Sequence, residues 1–147
     1  MARPTKAQTF MAIAETWAKR ATCSARVQVG AVLVDTHDRV VASGYNGSPR
    51  NLPHCDDVGC LKDGHGHCLR VVHAEANAIL QCAASGANSD GTTLYVTHWP
   101  CTRCAVLIIQ AGIKKVIWKE PYGSGNEVVI SQRLFDEAGV EVKHYEG

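Results

Sequence analysis

The 147-residue chain carries a formal net charge of +1, with 46% apolar and 20% charged residues. That balance reads as a globular chain and gives no electrostatic footprint for holding a nucleic-acid backbone, so no nucleic-acid partner is expected. No apolar run is long enough to span a bilayer, and "MARPTKAQTF" lacks the apolar core of a secretion signal, so we expect a cytoplasmic chain with no membrane partner.

Thr5 and Gln8 stand at capping-box spacing and open a helix that runs to about Ala21. Two β-branched runs, Val27 to Asp35 and Arg39 to Tyr45, flank a polar turn and read as a hairpin. The stretch 46–69 has no clear period and is rich in Gly, Pro, Asp, His and Cys, so it reads as an insert loop. A second helix starts near His73 and stops before Gly86, a glycine placed to end it. Thr93 to Thr97 is a strand, Pro100 starts a helix that ends at Gly112, and Lys114 to Trp118 is the next strand. After a Gly-rich turn, Glu127 to Gly139 reads as a helix and Val140 to Tyr145 as a last strand. Strands alternating with helices after a hairpin predict a single α/β domain over 1–147, a three-layer α-β-α sandwich with a mixed sheet.

Seven cysteines, an odd count in a chain without a secretion signal, point away from disulfides and toward metal ligation or catalysis. Cys101 and Cys104, at i and i+3 on the first turn of a helix, bring both sulfurs within reach of one metal ion. A helix N-terminus also favours thiolates, the form that binds metal. His73, at the start of another helix, can supply a third ligand. Three protein ligands leave a fourth tetrahedral position for water, the layout of a catalytic zinc. Glu75, in the first turn after His73, is then placed to shuttle that water's protons. Taken alone, a Cys-x-x-Cys is more often half of a structural zinc site or a redox pair, and a His-x-Glu usually complements a helix dipole. Together and in this order they match the zinc-deaminase signature H-x-E…P-C-x-x-C.

"HAEANAI" (His73 to Ile79) with "PCTRC" (Pro100 to Cys104) resembles the cytidine deaminase superfamily. "GYNGSP" (Gly44 to Pro49), the cysteine-rich insert and "LYVTHWPCTRCAVLIIQAGIKKVIW" resemble the deoxycytidylate (dCMP) deaminase family in particular, over about Ala21 to Tyr122. The resemblance implies a mixed five-stranded sheet flanked by helices and hydrolysis of dCMP to dUMP and ammonia, feeding thymidylate synthesis. Zinc would activate the water that attacks C4 of the base, with Glu75 as proton shuttle and no organic cofactor. It also implies a homo-oligomer, usually a hexamer, activated by dCTP and inhibited by dTTP. By the same resemblance Asn46 would bond the sugar hydroxyl and the backbone at Ala74 would read the base. Trp99 is a candidate wall for the base, Tyr122 would lie near the phosphate, and Arg26 and Ser48 are weaker phosphate candidates. Asn46 could equally serve the Asn-Gly turn, and Trp99 the core.

The catalytic set leaves "HCDDVGCLKDGHGHC" (His54 to Cys68) unexplained. It holds three cysteines and three histidines in fifteen residues, with Cys23 a further thiol nearby. A long loop needs some source of order, and a second, structural zinc would supply it. Four of Cys23, Cys55, Cys60, His67 and Cys68 are its expected ligands, with His54 and His65 in reserve. Unpaired thiols in a cytosolic loop are the plainer reading. A tRNA adenosine deaminase, a free cytidine or guanine deaminase, and a zinc-stabilised binding module that does no chemistry remain as alternatives. The charge balance, the insert with "GYNGSP", and the presence of Glu75 respectively speak against them.

Overall fold

The computed structural model describes residues 2–147. Helix α1 (Lys6–Ala18) opens on the expected capping box, Gln8 N–H bonding Thr5 Oγ1 and the Gln8 side chain returning to Thr5 N. It stops at Ala18, short of Ala21, because the chain tightens into successive i→i+3 turns from Thr16 to Ala21. Strands β1 (Gly30–Val34) and β2 (Val40–Tyr45) form the hairpin, turned by Asp35, whose Oδ1 accepts from His37 N and Arg39 N. β1 begins at Gly30 rather than Val27. Residues 27–29 are held instead by Asn46, whose amide bonds Val29 N at 2.7 Å and Val27 O at 3.0 Å.

The insert is not wholly irregular. It contains the short helix α2 (Cys55–Val58) and a Lys62–Cys68 bridge. Helix α3 (Ala74–Ser85) ends, as expected, on a left-handed Gly86. β3 (Thr93–His98), α4 (Thr102–Gln110), β4 (Lys115–Glu120), α5 (Gly125–Ala138) and β5 (Glu141–His144) follow. α4 starts after Pro100, because Cys101 is an extended N-cap. α5 starts ahead of Glu127, because Ser124 Oγ caps it by accepting the Glu127 N–H at 3.2 Å.

The five strands form one mixed sheet in the order β2-β1-β3-β4-β5. β1 runs antiparallel to both its neighbours, while β3, β4 and β5 are parallel. Alternation along β1 divides the core. Val32 and Val34 meet Phe10, Met11 and Ala14 of α1, whereas Ala31 and Leu33 join Ala74 and Ala78 of α3, Ile108 of α4 and Phe135 of α5. The result is the three-layer arrangement of helix, sheet and helices.

Two glycines let helices lie directly on the sheet. A Cβ on Gly30 would overlap the Ala14 carbonyl oxygen of α1. A Cβ on Gly44 would come within 2.6 Å of the Ala74 carbonyl oxygen and 2.7 Å of Ala78 N. Gly44 therefore sets how closely α3, the helix that carries Glu75, approaches β2. Among the described residues no helix is long and apolar enough to cross a membrane.

Candidate metal centre and active site

The first turns of α3 and α4 meet at the carboxyl end of β3. His73 is the N-cap of α3 and Cys101 the N-cap of α4, with Cys104 inside the first turn. His73 Nδ1 lies 3.5 Å from Cys101 Sγ and 3.4 Å from Cys104 Sγ. Tetrahedral zinc, with bonds of ~2.3 Å to sulfur and ~2.05 Å to nitrogen, needs N···S separations of about 3.6 Å. The three donors thus already stand at zinc-binding spacing. Of the three, Cys101 is already set as the thiolate a metal requires. The hydrogen bond from Cys104 pulls the Cys101 thiol down to about 4, and the Cys101 thiolate in turn raises the His73 imidazole and the Cys104 thiol.

Glu75 is 5% exposed, and burial pushes its carboxyl up to about 7. A buried acid that titrates near neutrality exchanges protons readily at physiological pH. It shares a cleft with two of the three donors. Arg26, Asn46, Ala74, Trp99 and Tyr122, all expected around the substrate, line that cleft with His73, Glu75 and Cys101. Ser48 does not line it. Its hydroxyl is buried without a partner, and the residue lines a separate cleft beside Arg20, Arg50 and Asn77.

Asn46 and Trp99 each carry two duties. Having bonded Val27 and Val29, the Asn46 amide keeps one N–H and one lone pair free. Trp99 donates Nε1–H to Ser131 Oγ at 2.8 Å and packs edge-on against Trp118 and Phe135, while lining the cleft. Tyr122 meets His98 edge-to-face, with ring centroids 6.3 Å apart.

Val27, Val29, Cys68 and Val71 also line the cleft, and sequence motifs did not single them out for it; His98 lines it too, a place its position just before the motif tryptophan suggests. His98 is tied to the strand beneath it through Thr97. Thr97 Oγ1 accepts the Gly30 N–H at 3.1 Å and lies 2.8 Å from His98 Nδ1. Burial also lowers the pKa of the His98 ring, which favours its neutral form.

Beside the cleft a second cluster gathers four thiols. Cys23 and Cys60 Sγ lie 3.4 Å apart and Cys55 and Cys68 Sγ 3.6 Å apart, with all four sulfurs within 4.8 Å of one another. Tetrahedral zinc with four thiolates needs S···S separations of about 3.8 Å, so this donor set also fits a metal. Burial and the neighbouring thiols push Cys23 up to about 12. Burial opposes ionisation of Cys68 too, but backbone N–H donors, Arg70 first, and the Cys55 thiol bring it down to about 7. His67, an expected ligand, lies outside this group. Its ring is 3.4 Å from Asp63 Oδ2 and its side chain is 73% exposed.

Residues 4–120 match the family described as the cytidine and deoxycytidylate deaminase zinc-binding region. The chain belongs to that family. It is 48% identical to ComE operon protein 2 of Bacillus subtilis, covering 95% of this chain and 70% of that protein. It is 37% identical to the human deoxycytidylate deaminase, over 92% of this chain and 77% of that protein. The Saccharomyces cerevisiae deoxycytidylate deaminase is 35% identical, but the chain spans only 46% of its length. The fold matches the dCMP deaminase of cyanophage S-TIM5, solved with dCMP and dUMP, at a TM-score of 0.80 and 32% identity. That match covers 99% of this chain and all of the other. The family's zinc-binding region includes His73, Cys101 and Cys104, whose donors are the ones brought together here.

Proposed function

We propose that the protein is a cytoplasmic dCMP deaminase that hydrolyses dCMP to dUMP and ammonia. The observation that carries this reading is the buried Glu75 carboxyl sharing one cleft with His73 and Cys101, two of three donors at zinc spacing. Relatives named deoxycytidylate deaminase and the dCMP-bound cyanophage neighbour support the choice of base and sugar.

Zinc held by His73, Cys101 and Cys104 supplies Lewis acidity that brings the pKa of a water toward neutrality. Glu75 accepts the proton of the attacking water and delivers it to ring N3 as the water oxygen bonds to C4. It then takes the remaining proton from the oxygen now on C4 and passes it to the 4-amino group, which leaves as ammonia as the C4 carbonyl forms. Burial serves this cycle, since a carboxyl poised near pH 7 takes and gives a proton at similar cost. The first turn of α3 leaves the Ala74 N–H free of any helix partner, an available donor to the base. The spare Asn46 N–H and lone pair suit the sugar hydroxyl, Trp99 walls the base, and Tyr122 and Arg26 stand at the phosphate end. Ser48 in this reading holds the "GYNGSP" loop and does not touch substrate.

Ammonia release measured over dCMP, dCTP, cytidine, deoxycytidine and guanine tests the assignment. dCMP should exceed deoxycytidine in kcat/KM by roughly 10²-fold or more, because polar groups set for a phosphate lose their partner without one. Comparable efficiency on the two would overturn the monophosphate reading.

We further propose a second, structural zinc held by Cys23, Cys55, Cys60 and Cys68. Purified protein should then contain two zinc ions per chain, and one when Cys60 and Cys68 are both changed to Ser. That double variant should melt at lower temperature while keeping its catalytic metal. One zinc in fully active parent protein would retire the second site.

Family resemblance extends the proposal to a hexamer activated by dCTP and inhibited by dTTP. The apolar Leu80, Val106, Leu107, Val129 and Ile130, exposed on α3, α4 and α5, support association of copies. The two nucleotides should shift the dCMP saturation curve in opposite directions. A curve indifferent to both would mean an unregulated enzyme.

A further inference from the structure

The insert presents two of its thiols on one small hairpin. Leu69 N donates to Leu61 O at 2.7 Å, Asp63 N donates to His67 O at 2.9 Å, and Lys62 faces Cys68 across a bridge. Cys60 and Cys68 therefore stand on the two sides of the base of the hairpin 61–69. The other two thiols sit on a fixed platform. Cys55 opens α2, and Cys23 lies on the segment that Asp56 of α2 ties down. Asp56 N donates to Thr22 O at 3.0 Å, and Asp56 Oδ1 accepts from both Ser24 N and Ser24 Oγ at 2.7 Å.

The four thiols differ in access. Cys23 and Cys55 are 0% and 6% exposed, whereas Cys60 and Cys68 are half-buried. The short contacts cross that divide. Cys60 Sγ lies 3.4 Å from Cys23 Sγ, and Cys68 Sγ lies 3.6 Å from Cys55 Sγ. Each accessible sulfur thus has one buried sulfur in near contact. Cys68 is also open to small molecules through the substrate cleft, which it lines with Val71.

An accessible thiol beside a second thiol is the arrangement of a redox-active pair, in which the first is oxidised and the second resolves it. We propose that this cluster is an oxidation site for small hydroperoxides, with Cys60 and Cys68 attacked and Cys23 and Cys55 resolving. With hydrogen peroxide, the sulfur of Cys60 or Cys68 attacks one oxygen and the O–O bond breaks. The thiol becomes a sulfenic acid and one water leaves. The buried partner sulfur then attacks the sulfenic sulfur, the S–OH bond breaks, and a second water leaves. Each pair gives up two electrons and two thiol protons, and each peroxide is reduced to two waters.

Closing either disulfide shortens its S···S gap by about 1.5 Å, to the ~2.05 Å of the bond. Because both accessible thiols ride on one hairpin, a single shift of that hairpin toward the buried thiols serves both pairs. Two closures take all four donors from the structural zinc, so oxidation releases it. The same shift reshapes the Cys68 side of the cleft, while α3 and α4 keep Glu75 and the catalytic donors in place. This inference stands apart from the dCMP reading and rests on the structural-zinc reading only for the released ion.

The test exposes purified, zinc-loaded protein to hydrogen peroxide and maps its disulfides by mass spectrometry after alkylation. Released zinc and dCMP kinetics are measured alongside. Cys23–Cys60 and Cys55–Cys68 bonds should form, with the structural zinc released and the catalytic zinc retained. KM for dCMP should rise about threefold to tenfold with kcat near the parent value, and dithiothreitol with zinc should restore it. In Cys23→Ser the Cys60 sulfenic acid should persist and be labelled by dimedone, which should label little in the parent.

Other pairings among the four thiols, or sulfinic acid at Cys60 and Cys68 in place of disulfides, overturn the division into attacked and resolving thiols. Insert thiols that stay reduced while Cys101 and Cys104 oxidise overturn the site itself. An unchanged KM once both disulfides have formed overturns the link to the cleft. Protein that carries a single zinc before treatment retires the structural metal alone, because the disulfide map then still decides this inference. If Cys23→Ser does not fold, the parent map carries the test.

Discussion

Glu75→Gln should retain its zinc and lose on the order of 10² to 10⁴ in turnover of dCMP, the usual contribution of a positioned acid–base group. The substitution preserves size and shape in a site where Glu75 is nearly inaccessible, so packing of α3 on β2 gives no reason for the protein to lose structure. What it removes is the carrier of two protons, one that travels from water to N3 and a second that travels from the same oxygen to the leaving amine. Gln cannot carry either at any pH in the working range. Metal analysis after desalting, beside single-turnover rates, separates this loss from misassembly. A variant that turns over dCMP at the parent rate would sink the shuttle assignment.

Cys104→Ala should lose both metal and activity. Cys104 is buried, and its sulfur is one of only three donors drawn together at the junction of α3 and α4. Without it the Cys101 thiolate and His73 remain, a pair that cannot hold a tetrahedral ion with an open position. The change also leaves that thiolate beside the buried Glu75 without its hydrogen-bond donor, an electrostatic conflict that adds to the lost ligand. His73→Ala should behave alike. Zinc content below about one tenth of parent, with melting at reduced temperature, is the expected pattern, since metal affinity is linked to folding. An active, zinc-replete Cys104→Ala would disprove the ligand assignment.

The parts of this arrangement that could be read from sequence are those written in local spacing. His73 and Glu75 open one helix, Cys101 and Cys104 open the next, and Gly86 closes α3 with the left-handed geometry its position called for. The remaining lining of the cleft depends on distant segments meeting. Residues 27–29, 68–71 and 98 share no periodicity, and the sheet order, the Asn46 side chain and the Gly47–Val72 bridge bring them together. The start of α5 was legible in principle, since Ser124 and Glu127 have the spacing that marked α1. Spacing could not say whether His67 or a thiol faces inward. That choice turned on Asp63, whose carboxylate draws the His67 backbone and ring to the outside of the turn.

His73 and Cys101 are both N-cap residues, and neither side chain supplies the usual cap hydrogen bond. Each helix thus forgoes the roughly 1 kcal/mol that Ser, Thr or Asp would give at that position. The chain has exchanged two independent end-stops for one shared rivet. An ion gripping His73 and Cys101 fixes the first turns of two helices at once, and fixes them relative to each other. Emptying the site would then loosen a joint, with amide protons at the starts of α3 and α4 becoming exchangeable while the sheet beneath stays protected. Metal supply would govern how rigid this end of the molecule is, as well as whether it can react.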